Sequence, residues 1–154
     1  MNATRKRNKK GYQFAELGPA LIIIFIVVLF PMLDLLYLSL AFASGWYCNH
    51  LVVREVACRD PLSANAAQQA ATQAWSDTGL AKFIGAKTTD VSNTISWIGG
   101  SPGSTPPPSS VSVATIVNVQ PFLPIPFFMK IQGLNEPVKF SYAAERPQEE
   151  KGIQ

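Results

Sequence analysis

From Leu17 to Tyr47 the chain carries a single charged side chain, Asp34, in an otherwise apolar run. No other feature limits the possible folds so sharply. About 30 Å of hydrocarbon takes about 20 helical residues to cross, and the run is longer than that. In lipid a lone segment must satisfy its own N–H and C=O groups, so it must be an α-helix. The run therefore reads as one membrane-spanning helix. It also accounts for a composition that is 47% hydrophobic and only 15% charged, against about a quarter charged in ordinary soluble domains.

The net charge of +3 is just as local. Arg5, Lys6, Arg7, Lys9 and Lys10 crowd the segment before the run, and the remainder is near balance. A nucleic-acid partner would call for basic residues spread over a folded face. Here they flank a hydrophobic segment, which holds the N-terminus in the cytoplasm and sends the rest of the chain outward. The competing reading is a cleaved secretory signal. Ala41-Phe42-Ala43 fits the small-x-small rule, with a mature chain starting at Ser44. Against it, the hydrophobic run is much longer than a signal core, and Asp34 lies inside it.

Several residues within the run carry meaning. Pro19 falls in the first turn, where a missing N–H costs little. Pro31 lies deep inside and frees the carbonyl of Val27, predicting a kink or a local loosening. Asp34 is about 25 Å along the axis from Leu17, near the outer interface. There it is either hydrated or in contact with a polar group on a neighbouring helix. Ala41 and Gly45 have the small-xxx-small spacing that lets a second helix approach. Tyr37, Trp46 and Tyr47 are candidates for the outer aromatic belt, or for the base of the outer domain.

Past the run, Tyr47, Leu51, Val52 and Val56 keep helical spacing, so the helix is expected to continue to about Arg59, where Asp60-Pro61 ends it. A second helix is expected from an N-cap at Ser63 to Gly85 just beyond its end. "AKTTDVSNTISWI", "SVSVATIVNVQ" and "PVKFSYAAE" read as strands. Between the first two lies a Gly/Pro/Ser stretch, residues 99–110. "PFLPIPFFMKIQGL" is interrupted by Pro121, Pro124 and Pro126 and cannot be a central strand. The expected organisation is a basic leader (1–11), the membrane helix and stalk (12–59), a second helix (60–85), a β-containing region (86–146) and a flexible tail (147–154). The fold class is α+β: a single N-terminal transmembrane helix extended into a stalk, a helical hairpin, and a small antiparallel sheet on the outer side.

Catalytic chemistry has little to work with. His50 is the only histidine, and no phosphate loop, metalloprotease helix or nucleophile elbow is present. Glu55 and Asp60 form no obvious acid pair. No enzyme, cofactor or small-molecule substrate is expected. Cys48 and Cys58 are ten residues apart, about 15 Å along a continuous helix, whereas a disulfide needs Cα atoms within about 7 Å. They are therefore free or buried thiols, or bonded between chains, unless the helix is broken between them.

The order of features at the N-terminus resembles a type IV pilin-like precursor: a basic head, Gly11, four residues, Glu16-Leu17, then a long apolar helix. The resemblance implies that a prepilin peptidase cuts between Gly11 and Tyr12 and that Glu16 becomes the fifth residue of the mature chain. Leu17 departs from the phenylalanine often found there. More narrowly, the chain resembles the TadE-like pseudopilins of the tight-adherence (Flp) pilus machinery. In these a leucine-rich helix runs to an aspartate, here Asp34, followed by an exit helix, here "VVREVACRD", and a small outer domain. The short chain fits a TadE- or TadF-type subunit better than the larger TadG type.

The resemblance implies assembly roles for Glu16 and Asp34. Glu16 either complements the helix dipole at the first turn or pairs with the freed Tyr12 α-amine of its own or a neighbouring chain. The implied partners are membrane lipid, the prepilin peptidase and other pilin-like or Tad assembly subunits, in the bacterial inner membrane. The alternatives are a single-pass accessory subunit of another membrane complex and a secreted binding domain.

Overall fold

The computed structural model describes residues 10–122, 131–133 and 136–149, with side chains from residue 17 onward. One helical rod dominates it. The rod comprises α1 (Lys10–Ile24), a π-helical turn (Phe25–Leu29) and α2 (Phe30–Ala57). The wide turn has a local cause. Pro31 has no N–H for the Val27 carbonyl, and the ladder slips just before it, so that the Phe30 N–H reaches back to the Phe25 carbonyl. Backbone angles on either side stay helical, at φ −60°, ψ −44° for Ile24 and φ −65°, ψ −47° for Phe30. The loosening expected at Pro31 is thus a widened turn within one rod. Pro19 corrects a second expectation: the helix already begins at Lys10, so this proline stands in its interior.

The helix ends at Ala57 with Cys58 as its cap. Asp60 turns the chain with φ −56° and ψ 130°, and its carboxylate accepts from the Leu62 N–H at 3.0 Å. Ser63 stands at the next helix start, but its hydroxyl donates to the Asp60 carbonyl and caps nothing. The single second helix expected over 60–85 is in fact two. The first, α3 (Ala64–Ser76), turns Ala64, Ala67, Ala71 and Trp75 inward. The second is the short α4 (Gly79–Phe83), started by the Thr78 hydroxyl, which accepts from the Ala81 N–H. Asp77-Thr78 breaks the helix because threonine competes for the local backbone bonds and favours a cap. Gly85 then closes α4 in the left-handed region, at φ +64°. Its N–H bonds to the Lys82 carbonyl and that of Ala86 to the Ala81 carbonyl, the paired pattern of a glycine-terminated helix.

Three antiparallel strands follow: β1 (Val91–Ile98), β2 (Ser110–Val119) and β3 (Val138–Pro147), in the order β1-β2-β3. The Gly/Pro/Ser stretch joins β1 to β2. Alternation selects the inward face. Val111, Val113, Thr115, Val117 and Val119 of the central strand are all buried. The register sets Asn93, Thr115 and Tyr142 side by side in one row across that face.

The sheet and α3 pack on α2, whose buried stripe runs Asp34, Tyr37, Ala41, Ser44, Cys48, Val52 and Val56. The exit segment is therefore no free-standing stalk. It is the central element of an α+β head, because its valines are worth about 1.5–3 kcal/mol each once removed from water. The tail also begins later than expected. Gln148 bonds through its N–H to the Ser109 carbonyl and through Nε2 to the Arg59 carbonyl, and the Glu149 N–H donates to the Ala57 carbonyl. Most of the proline-interrupted segment, residues 123–130, lies outside the described residues.

Candidate functional site: a bare helix and the seam that holds the head

The rod changes character at Asp34. From Leu17 to Leu33 every side chain but that of Pro31 is exposed, and nearly all are apolar. From Asp34 onward one face is covered by the head. Among the described residues one helix is long and apolar enough to cross a membrane, near the N-terminus. Gly11, Tyr12 and Glu16 are helical in α1, and their side chains lie outside the described residues. The first turn holds no acidic residue. Glu16 stands six residues past Lys10 in α1.

Asp34 is 0% exposed. Its own chain covers it, which corrects the expectation of a carboxylate open to water or to a neighbouring helix. The seam beneath it explains the small residues. Ala41 is fully buried. Gly45 lies under the ring of Tyr142, and a Cβ there would fall 2.6 Å from Tyr142 Cε2. The small-residue groove is therefore filled from within the chain by an aromatic side chain of β3, not left open to a second helix. The Tyr142 hydroxyl donates to the Phe42 carbonyl at 2.9 Å. Burial, and secondarily the nearby Cys48, push the phenol well above its ordinary pKa, so it remains a donor.

A second anchor is a chain of polar side chains through the core. The Asn49 amide donates to the Thr115 hydroxyl at 2.9 Å, and that hydroxyl donates to Asn93 Oδ1 at 2.7 Å. The Asn93 amide donates to the Thr72 hydroxyl at 3.0 Å, which donates to the Gln68 carbonyl at 2.8 Å. Each donor in the series is itself an acceptor's neighbour, and such series strengthen one another in a low dielectric. The relay ties α2, β2, β1 and α3 in one register. A third anchor is the Trp75 indole, whose Nε1–H points at the Ser44 carbonyl and hydroxyl at 3.0 and 3.2 Å.

The cysteines are both free thiols, with Cys48 buried and Cys58 exposed. The continuous helix holds them apart, in line with the geometric argument. Desolvation and then a hydrogen bond to Glu149 raise the Cys58 pKa. Of the three aromatic candidates, Tyr37 belongs to the head, where its hydroxyl donates to the Ile84 carbonyl. Trp46 and Tyr47 are exposed on the opposite face. Among the described residues no group of three or more His, Cys, Asp or Glu is placed to hold a metal ion.

The sequence reading missed Tyr142, Asn49, Thr115 and Trp75. Asn49 had a signal: it is one turn beyond Gly45 on the same helical face, where a polar side chain predicts a buried partner. No family model, no curated protein and no solved structure matches the chain.

Proposed function

We propose that the chain is a membrane-anchored, pseudopilin-like subunit for assembly of a tight-adherence pilus of the TadE-like type, processed by a prepilin peptidase after Gly11. It is a structural and interaction protein, with its N-terminus in the cytoplasm and its head outside the inner membrane. The supporting observation is the layout of the rod. A single helix carries Gly11 and Glu16 at one end, a bare apolar stretch from Leu17 to Leu33, and a half that serves as the spine of the head. A cut after Gly11 leaves that spine and its whole buried stripe intact. It also creates an α-amine at Tyr12, four residues from Glu16 and so on the same side of the helix. A carboxylate entering lipid needs such a partner.

The layout argues against a secreted chain starting at Ser44. That cut would remove Asp34, Tyr37 and Ala41, which are buried in the head. It would also pass beside the residue that accepts from the Trp75 indole. N-terminal sequencing of the protein from membranes tests the reading. A start at Tyr12 is expected. An intact start would favour an accessory subunit of another membrane complex, and a start at Ser44 would overturn membrane anchoring.

A further inference from the structure

Two exposed phenylalanine rings gather against the buried Tyr37 at one level of the rod. The ring of Phe83, at the end of α4, is 6.2 Å from that of Tyr37, and the ring of Phe122 is 5.3 Å from it. Phe83 is 60% exposed and Phe122 53%. With Leu33, Leu36 and Leu40 of the rod they border a cleft of about 200 Å³, and all six side chains are built largely of carbon. Lys82 and Lys87 are exposed close by on the same connection.

This level coincides with a boundary that the rod sets independently. Twenty residues separate Leu17 from Tyr37, about 30 Å of helix, which is the thickness of a hydrocarbon core. Asp34, almost one turn lower, is fully covered by the chain's own atoms. The head therefore reaches down to the depth at which the bare helix ends. Aromatic side chains concentrate at the boundary between lipid and water, and cations beside them meet anionic headgroups. Burying a phenylalanine side chain is worth about 1.5–3 kcal/mol, which a head held clear of the membrane would forgo twice.

We infer that the rim of the head formed by Phe83 and Phe122, packed on the buried Tyr37, rests in the bilayer interface, with lipid acyl chains entering the cleft between the rim and the rod. The head is thereby seated on the membrane at a fixed height and tilt. The inference rests on the rod being a membrane anchor, and its test separates the two.

The test uses the full chain carrying Cys58→Ser, with Cys48 buried and unreactive. A cysteine is introduced singly by Ile24→Cys, Lys82→Cys, Phe83→Cys or Ile116→Cys and labelled with an environment-sensitive fluorophore. Each labelled chain is reconstituted in vesicles of phosphatidylethanolamine and phosphatidylglycerol. Lipids brominated near the headgroup or deep in the acyl chain act as quenchers, and iodide reports exposure to water. Position 24 should be quenched by deep bromine and position 116, on the far face of the sheet, by iodide alone. Positions 82 and 83 should lose most of their emission to shallow bromine. Quenching of 82 and 83 by iodide alone, with 24 still deep in lipid, overturns the seating and spares the anchor. Shielding of 82 and 83 from both quenchers means that protein covers the rim, and also overturns it. Failure of deep bromine at position 24 overturns the anchor itself.

Discussion

The ring of Tyr142 and the backbone of Gly45 share one contact on the rod, so close that a Cβ at position 45 would lie 2.6 Å from Tyr142 Cε2. The ring has nowhere to retreat. Its hydroxyl is bonded to the Phe42 carbonyl, and the Phe42 ring lies 5.4 Å away. Gly45→Ala should therefore lower the stability of the head by about 1–3 kcal/mol, the usual range for overpacking, despite the better helix propensity of alanine. Urea unfolding of the full chain in detergent micelles measures it. Tyr142→Leu should itself be destabilising but should absorb much of the added cost of Gly45→Ala. Strict additivity of the two would mean that the cost at Gly45 arises elsewhere than at the Tyr142 ring.

The polar relay makes a separate prediction. Thr115 is the hinge of the series, accepting from Asn49 and donating to Asn93. Thr115→Val keeps the shape but leaves one N–H of the Asn49 amide, whose other bond runs to the Val113 carbonyl at 2.9 Å, and the part-buried Asn93 Oδ1 without their partner. Each stranded group costs about 1–3 kcal/mol. Asn49→Leu removes the donor together with its need, so adding it to Thr115→Val should recover part of the loss. A double-mutant cycle on the unfolding transition checks this, and no recovery would show that the relay contributes nothing beyond its separate bonds.

These two anchors show where sequence reading stops. Period and composition suffice for the rod, the three strands and the end of the rod at Asp60-Pro61, because each rests on local chemistry. The break at Asp77-Thr78 was legible only as a weak cap signal inside an alanine-rich helix. Gly45 looked like an invitation to a second helix because spacing does not say which surface will fill a groove. The answer is Tyr142, almost a hundred residues away, and only the register of β3 on β2 delivers it. Asp34 likewise reads as an interfacial charge until the head is seen to cover it.

The end of β3 predicts how the two thiols behave. Cys58 is exposed, yet its pKa is raised by desolvation and by the hydrogen bond to Glu149, whose own N–H is tied to Ala57. A raised pKa leaves less thiolate at a given pH, so maleimide labelling of Cys58 should be slow for an exposed thiol and should quicken as pH rises. Glu149→Gln removes the negative charge, lowers that pKa and should speed labelling at neutral pH. Cys48 should label only after unfolding. Equal rates for the wild type and Glu149→Gln would mean that the tail does not rest on Cys58 in solution.

The sharpest functional prediction sets Glu16 against Asp34. Both are acidic residues of one apolar helix, but Asp34 is sealed inside the head, whereas Glu16 lies below the bare stretch. A carboxylate at membrane depth costs roughly 2.5–3.5 kcal/mol on insertion scales, so Glu16→Ala should insert at least as well as wild type. If the carboxylate is matched by the Tyr12 amine that processing frees, Glu16→Ala should be cut normally yet sharply reduce the yield of sheared pili. Gly11→Ala should block the cut and leave the chain at precursor size on co-expression with a prepilin peptidase. Asp34→Ala should instead lower the unfolding transition of the head. Immunoblots of membranes and sheared fractions, read beside the unfolding curves, distinguish the three. Normal piliation with Glu16→Ala, or an unchanged size shift with Gly11→Ala, would remove the pilus reading.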